Sequence, residues 1–375
     1  MLTSLLISSM ARPWRLATFI VLFSSQTLLA EQFISANNVK FRYSGRVLHD
    51  GEQAFLTWPG TSVNFSFTGK QLAIVLEDKT GENYFNVIFN GDDRYPYVLH
   101  AKQGTHRYDL SHAITSDTSH ITLFKRTEGA EGGTYFHGAA ISENSQLLAP
   151  QQAPIRKIMF YGDSITVGMG NEAAHNDPDN KASEKNHYLS YAAITARRLN
   201  AEFHSIAKSG IGFMVSWFDF TMLDYYDQLT AHSNNNSAWN FDSWQPDVVV
   251  VNLGQNDRWL IENEKRLEAT PDDIERAYEA FVRKLMLHHP NAQFICAIGS
   301  MDASQSMVWP NYIANAVSAI QSSPDNPQDK ARVTTVIFEF SGYGAHPRID
   351  QHVKNAAKLS AVIADKMNWS VVDNH

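Results

Sequence analysis

Four short segments of this chain carry residue types that together could cleave an ester. Gly162-Asp163-Ser164 follows the apolar run Ile158 to Tyr161, so a strand would deliver the Ser164 hydroxyl to a strand-to-helix turn. At such a turn the hydroxyl and its own N–H both face a crevice, and the helix dipole favours a developing anion. Ser209-Gly210-Ile211-Gly212 and Gly254-Gln255-Asn256-Asp257 follow two further apolar runs. Glycine lets a backbone N–H come close to a ligand, and the Asn256 amide can donate to an oxyanion. Gly344-Ala345-His346-Pro347 follows the last run. A neutral imidazole within reach of Ser164 takes the hydroxyl proton during attack and returns it to the leaving alcohol. Taken singly, each segment has a plainer reading: a serine cap, a glycine loop, an Asn-Asp turn, a surface histidine. Their order along the chain gives them weight.

The elements that must position these residues are legible from periodicity. Ile158 to Tyr161, Phe203 to Ile206, Val248 to Leu253, Phe294 to Ile298 and Val333 to Phe340 are short and mainly apolar. Such runs are expected of parallel strands covered on both faces. Between them lie helical patterns. The clearest opens at Thr270, with Pro271 in the first turn and Asp273 three residues on, and sets Ile274, Tyr278, Phe281 and Leu285 on one face. This alternation predicts a doubly wound α/β domain over residues 155–375, with its ligand site at the carboxyl ends of the strands.

Residues 31–150 follow a different pattern. Val63, Phe65 and Phe67, then Phe85, Val87 and Phe89, then Ile121 and Leu123 keep a period of two, and Asn90-Gly91 is a hairpin signal. An all-β sandwich or jelly roll is predicted there. Pro150-Gln151-Gln152-Ala153-Pro154 reads as the linker, and His232 to Ser237 as a polar loop.

Residues 1–30 carry Arg12 and Arg15, an apolar stretch to Leu29, and Ala30 before Glu31. This layout predicts a signal peptide, cleaved on export to the periplasm or the medium, with an uncleaved anchor as the alternative that Ser24, Ser25, Gln26 and Thr27 disfavour by interrupting the apolar run. The net charge is −8; removing residues 1–30 takes away two arginines and no acid, giving −10. That balance argues against a nucleic-acid partner. After cleavage no remaining segment is expected to span a membrane. The single cysteine, Cys296, sits in an apolar run and is expected to be buried filler. His204, His232, His288, His289 and His352 lack metal-ligand spacing, and Gly168-Met169-Gly170 lacks a nucleotide fingerprint, so neither a metal nor a cofactor is implied.

In order and placement, Gly162-Asp163-Ser164, Gly210, Gly254-Gln255-Asn256-Asp257 and His346 resemble the four sequence blocks of the SGNH, or GDSL, hydrolases. The resemblance implies Ser164 as nucleophile, His346 as base, and an oxyanion hole of Ser164 N–H, Gly210 N–H and the Asn256 side chain. Gly212 is the alternative should the second block be registered two residues later. The family usually places an aspartate three residues before the histidine, where this chain has Tyr343. A Ser164–His346 dyad is therefore expected, its imidazole held by a backbone carbonyl or a distant acid, with neither Asp350 nor Glu339 favoured.

The N-terminal β region, with Gly45-Arg46, Trp58-Pro59-Gly60 and Leu123-Phe124-Lys125-Arg126-Thr127-Glu128, extends the likeness to carbohydrate esterase family 2. That resemblance implies an exported deacetylase of plant polysaccharides such as acetylated xylan or glucomannan. Asp163, Trp259 and Trp309 are the candidate substrate-binding residues; the two tryptophans fall at strand ends, where a ring can pack on a sugar face, with core or rim packing the alternative for each. Trp217, Trp239 and Trp244 lie further from any motif. The rival readings are a lysophospholipase or thioesterase on the same fold, and a carbohydrate-binding protein whose hydrolase domain is vestigial.

Overall fold

The computed structural model describes residues 30–232, 238–324, 328–340 and 345–372. The signal-peptide segment before Ala30, residues 233–237 of the polar loop, and Tyr343 and Gly344 lie outside them.

Eleven strands build the N-terminal part of the chain: β1 (Glu31–Ser35), β2 (Arg42–Ser44), β3 (Val47–Asp50), β4 (Gln53–Leu56), β5 (Ser62–Thr68), β6 (Leu72–Asp78), β7 (Asn83–Phe89), β8 (Asp92–Ala101), β9 (Gly104–Asp109), β10 (Thr118–Lys125) and β11 (Thr134–Ser142). They form two antiparallel sheets. One has the order β3-β4-β11-β6-β9 with β1 also on β11, and the other β2-β5-β10-β7-β8. Val63, Phe65, Phe67, Phe85, Val87, Ile121 and Leu123 point into the space between the sheets and pack on Ile74, Leu76 and Phe136 of the opposite one. Asn90 and Gly91 both take positive φ, 55° and 77°, as a two-residue hairpin between β7 and β8 requires.

The intervening residues of β5, Ser62, Asn64 and Ser66, are buried as well. Their face of the sheet is turned toward the second domain, where Phe124 and Ile88 pack with Tyr188 and Ala193. Alternating polarity in β5 therefore marks an interface and not a solvated surface.

In the second domain, β12 (Arg156–Gly162), β13 (Ala201–Ala207), β14 (Val248–Asn252), β15 (Gln293–Ile298) and β16 (Val333–Ile337) form a parallel sheet ordered β13-β12-β14-β15-β16. Alternate residues of each strand feed two cores. Met159, Tyr161, Val249, Val251, Phe294 and Cys296 face one helical layer, and Ile158, Phe160, Val248, Val250 and Ile295 the other. The helices are α1 (Ser164–Val167), α2 (Tyr191–Arg198), α3 (Met222–Tyr225), α4 (Gln255–Glu262), α5 (Pro271–His288), α6 (Trp309–Gln321), α7 (Asp329–Arg332) and α8 (Ile349–Met367). Helices α5 and α6 cover the first face, α2 and α8 the second. The α5 cap is as expected: Thr270 Oγ1 accepts from Asp273 N–H, and the Asp273 carboxylate accepts from Thr270 N–H. His289, just beyond α5, is buried. No described helix is long and apolar enough to cross a membrane.

Strand β12 lies between β13 and β14, so the connections leave it in opposite directions, and the crevice opens past Gly162 and its partner Asn252.

Candidate active site

Ser164 is the first residue of α1. Asp163, extended at φ −107°, is the helix N-cap and accepts the Ile165 N–H at 3.0 Å. This chain reversal turns Ser164 toward the crevice, where its Oγ lies 2.8 Å from His346 Nε2. His346 approaches from the segment between β16 and α8, as the order of the motifs predicts.

On its other side the imidazole meets a carboxylate. Asp179 Oδ2 is 2.8 Å from His346 Nδ1 and also accepts the His346 backbone N–H at 2.8 Å. The side-chain contact with His346 comes first among the causes that hold the Asp179 carboxyl well below its ordinary range. Of the two supports expected for the imidazole, a backbone carbonyl or a distant acid, the structure has the acid, carried by the long segment between α1 and α2, and the pair becomes a triad. Gly170 makes room for it, since a Cβ there would lie 2.3 Å from Asp179 Cβ. Arg348, buried, clamps the arrangement by donating to His346 O at 2.8 Å and to Ala174 O at 3.0 Å. Asp179 escapes a sequence reading because it sits in an irregular polar stretch, Asp177-Pro178-Asp179-Asn180, with nothing local to separate it from its neighbours.

Gly210 has φ +86° and follows Ser209 at the turn after β13. The N–H of Gly212 is engaged by Ser216 Oγ at 2.9 Å, which removes Gly212 as the alternative donor. Asn256, in the first turn of α4, donates from Nδ2 to Ile211 O at 2.9 Å and to Asp163 Oδ2 at 3.4 Å. The longer contact is the weaker of the two. Asp257 is buried and accepts the N–H groups of Phe213, Met214 and Val215 at 2.8–3.2 Å, tying α4 to the loop after Gly210. Burial pushes its pKa up to about 6 against those three bonds, and likewise raises Asp163 to about 7.

Two candidate substrate-binding residues are corrected. Asp163 is 1% exposed and serves as helix cap and Asn256 partner, so it presents nothing to a ligand. Trp309 is 1% exposed; its Nε1 donates to Glu262 at 2.7 Å and its ring backs the Gly254 turn from the core side. Trp259 fits better, being 40% exposed and three residues after Asn256 on α4, hence on the same helical face. Trp217, distant from the motifs in sequence, lies against Gly210: it is 43% exposed, its backbone N–H donates to Gly210 O at 3.0 Å, and Arg266 stacks over its ring. Phe218 flanks it. The signal available in the sequence was the cluster of aromatics shortly after the Gly210 block.

The arrangement supplies a hydroxyl, an imidazole and a carboxylate in one hydrogen-bonded line. Residues 43–150 match the family described as Carbohydrate esterase 2 N-terminal, and residues 160–375 the GDSL-like Lipase/Acylhydrolase family. Among curated proteins the chain is similar to the cellulase/esterase CelE of Acetivibrio thermocellus, 30% identical over 89% of this chain and 40% of that one. It thus spans less than half of CelE. It is also similar to an acetylxylan esterase / glucomannan deacetylase of Cellvibrio japonicus, 25% identical over 92% of this chain and 94% of that one. Among solved structures, a family two carbohydrate esterase from Clostridium thermocellum in complex with cellohexaose superposes with a TM-score of 0.76 at 30% identity, covering 88% of this chain and 99% of that one.

Proposed function

Because the chain belongs to the GDSL-like hydrolases and, within them, to carbohydrate esterase family 2, we propose that it removes O-acetyl groups from plant polysaccharides of the xylan or glucomannan type. The observation that carries this reading is the hydrogen-bonded line Ser164–His346–Asp179 at the mouth of the crevice.

Ser164 Oγ attacks the acetyl carbonyl while His346 Nε2 takes its proton. The charge on the carbonyl oxygen is met by the N–H groups of Ser164 and Gly210 and by the Asn256 amide. His346 then protonates the departing sugar oxygen, and in the second half-reaction it deprotonates the water that releases acetate. Asp179 keeps the Nδ1 proton in place and stabilises the imidazolium that forms in each half. Trp217 and Trp259 offer flat apolar faces on which a pyranose can pack. The names of the relatives and the cellohexaose bound to one of them support a β-linked polysaccharide as the carrier of the acetyl group.

The test is acetate release from acetylated xylan and acetylated glucomannan by wild type and Ser164→Ala. Wild type is expected to act on both and to prefer acetyl over octanoyl aryl esters, and the variant to lose nearly all turnover. Unaltered hydrolysis by Ser164→Ala would sink the assignment, and a preference for octanoyl esters would move it to lipid substrates.

Export is part of the same proposal and rests on the Arg12, Arg15 and apolar layout of residues 1–30. Protein recovered outside the cytoplasm should begin at Glu31; one that keeps Met1 would refute cleavage.

A further inference from the structure

We propose that Glu128, a residue of the β domain, is a positioning residue for the oxyanion donor at Gly210, an inference that rests on the esterase reading above. Glu128 follows β10 and its side chain is fully buried. Its Oε2 accepts the Ser209 backbone N–H at 2.7 Å and its Oε1 accepts the Ser209 hydroxyl at 2.5 Å. Ser209 immediately precedes Gly210, so fixing both its N–H and its Oγ restricts the torsions that aim the peptide between them. That peptide carries the Gly210 N–H. The positive φ of Gly210 relaxes the chain at this point, and the carboxylate supplies a constraint that glycine itself cannot.

Glu128 Oε2 faces the Ser209 N–H and its Oε1 also accepts from the Lys185 ammonium at 2.9 Å, so a glutamine would have to turn its NH₂ toward a group that can only donate. The surroundings keep it ionised. Burial raises its pKa, but the Lys185 ammonium 2.9 Å away and the Ser209 bonds outweigh that and hold it below its ordinary value. Lys185 also pairs with Glu131, and Lys125 donates to the backbone carbonyls of Thr127 and Glu128, fixing the segment that carries the carboxylate. Lys185 belongs to the same segment that carries Asp179. One buried cluster therefore connects the β domain to the loops bearing both the oxyanion donor and the triad acid.

The full chain is used for the test, as wild type, Glu128→Gln, Ser209→Ala and the double variant. The readings are aryl acetate kinetics well below the melting temperature, and the inhibition constant of a small alkyl boronic acid that forms a tetrahedral adduct on Ser164. A misaimed donor should lower kcat by about 10–100-fold in Glu128→Gln with KM within about threefold, and weaken boronate binding by the same factor as kcat/KM. Ser209→Ala should lose less, about 3–10-fold, and the double variant should be little worse than Glu128→Gln because both act through one contact. A staple that only joins the domains would lower the melting temperature and leave kcat and boronate affinity untouched, and that result overturns the proposal. If Glu128→Gln does not fold, Ser209→Ala decides: wild-type kcat overturns the proposal, and a parallel loss in kcat and boronate affinity supports it. A wild type whose esterase activity survives Ser164→Ala would instead overturn the esterase reading.

Discussion

Asp179 meets the imidazole from far along the chain, Tyr343 standing at the place three residues before the histidine, and the geometry of Asp179 says what it does. One carboxylate oxygen receives both the ring Nδ1–H and the backbone N–H of His346, so the imidazole is fixed in orientation and in tautomer, with Nε2 free to accept from Ser164. Asp179→Asn keeps the shape but can present an amide N–H to Nδ1, favouring the wrong tautomer. It should lower kcat by about 10²–10⁴-fold with little change in KM. A loss of only a few-fold in a stopped assay of aryl acetate turnover would restore the dyad. The same residue makes a pH prediction. Its folded pKa lies below the free value of about 3.9, so its contribution to stability is complete at neutral pH and is lost as pH falls below about 4 toward the folded value. The gap in melting temperature between wild type and Asp179→Asn should accordingly narrow as pH falls below about 4. A gap that persists unchanged at pH 3 would contradict the linkage.

At the scale of elements, what the sequence made legible and what it hid follow from the range of the interactions involved. Strand runs, the Thr270 cap and the Asn90-Gly91 hairpin are local, because residues a few positions apart decide them. Ser164, Gly210, Asn256 and His346 were legible one step further out: a doubly wound sheet gathers whatever follows the carboxyl ends of its strands, so order along the chain becomes proximity. Asp179 does not follow a strand and was missed. The tryptophans exchanged roles for a related reason. Trp309 begins α6, yet the periodicity that puts Ile313, Val317 and Ile320 in the core includes it too, so its ring belongs to the buried face. Trp217 lies in an irregular loop where no period applies, and only the turn closed by its N–H on Gly210 O brings it to the site. The buried polar face of β5 was likewise hidden, since burial there depends on an element of another domain.

For the molecule as a whole, the two domains share a core, and the predicted linker does not separate independent units. Trp58 of the β domain sits within the apolar cluster of the hydrolase sheet and donates from Nε1 to Leu229 O at 2.8 Å. Arg46 is fully buried, donates from Nη1 to the carbonyls of Tyr226 and Gln228, each at 2.7 Å, and lies over the rings of Trp239 and Phe241. Burial lowers its pKa to about 10, so it enters the interface as a cation at neutral pH. Arg46→Met keeps much of the volume and leaves both carbonyls without this donor, at about 1–3 kcal/mol each where water cannot replace it. The shared core is expected to make the two domains unfold in a single transition, so the denaturant midpoint should fall by that energy divided by the slope, with the slope itself unchanged. Residues 155–375 expressed alone would expose the cavity left by Trp58 and Arg46 and would lack Glu128 at the Ser209 turn. That fragment is expected to be insoluble or to melt far below the full chain, with less than about one hundredth of its esterase turnover, by the scale of loss seen when a single oxyanion donor is removed. A soluble fragment with the melting temperature and turnover of the full chain would show that the β domain is dispensable both to the hydrolase core and to the alignment of its oxyanion loop.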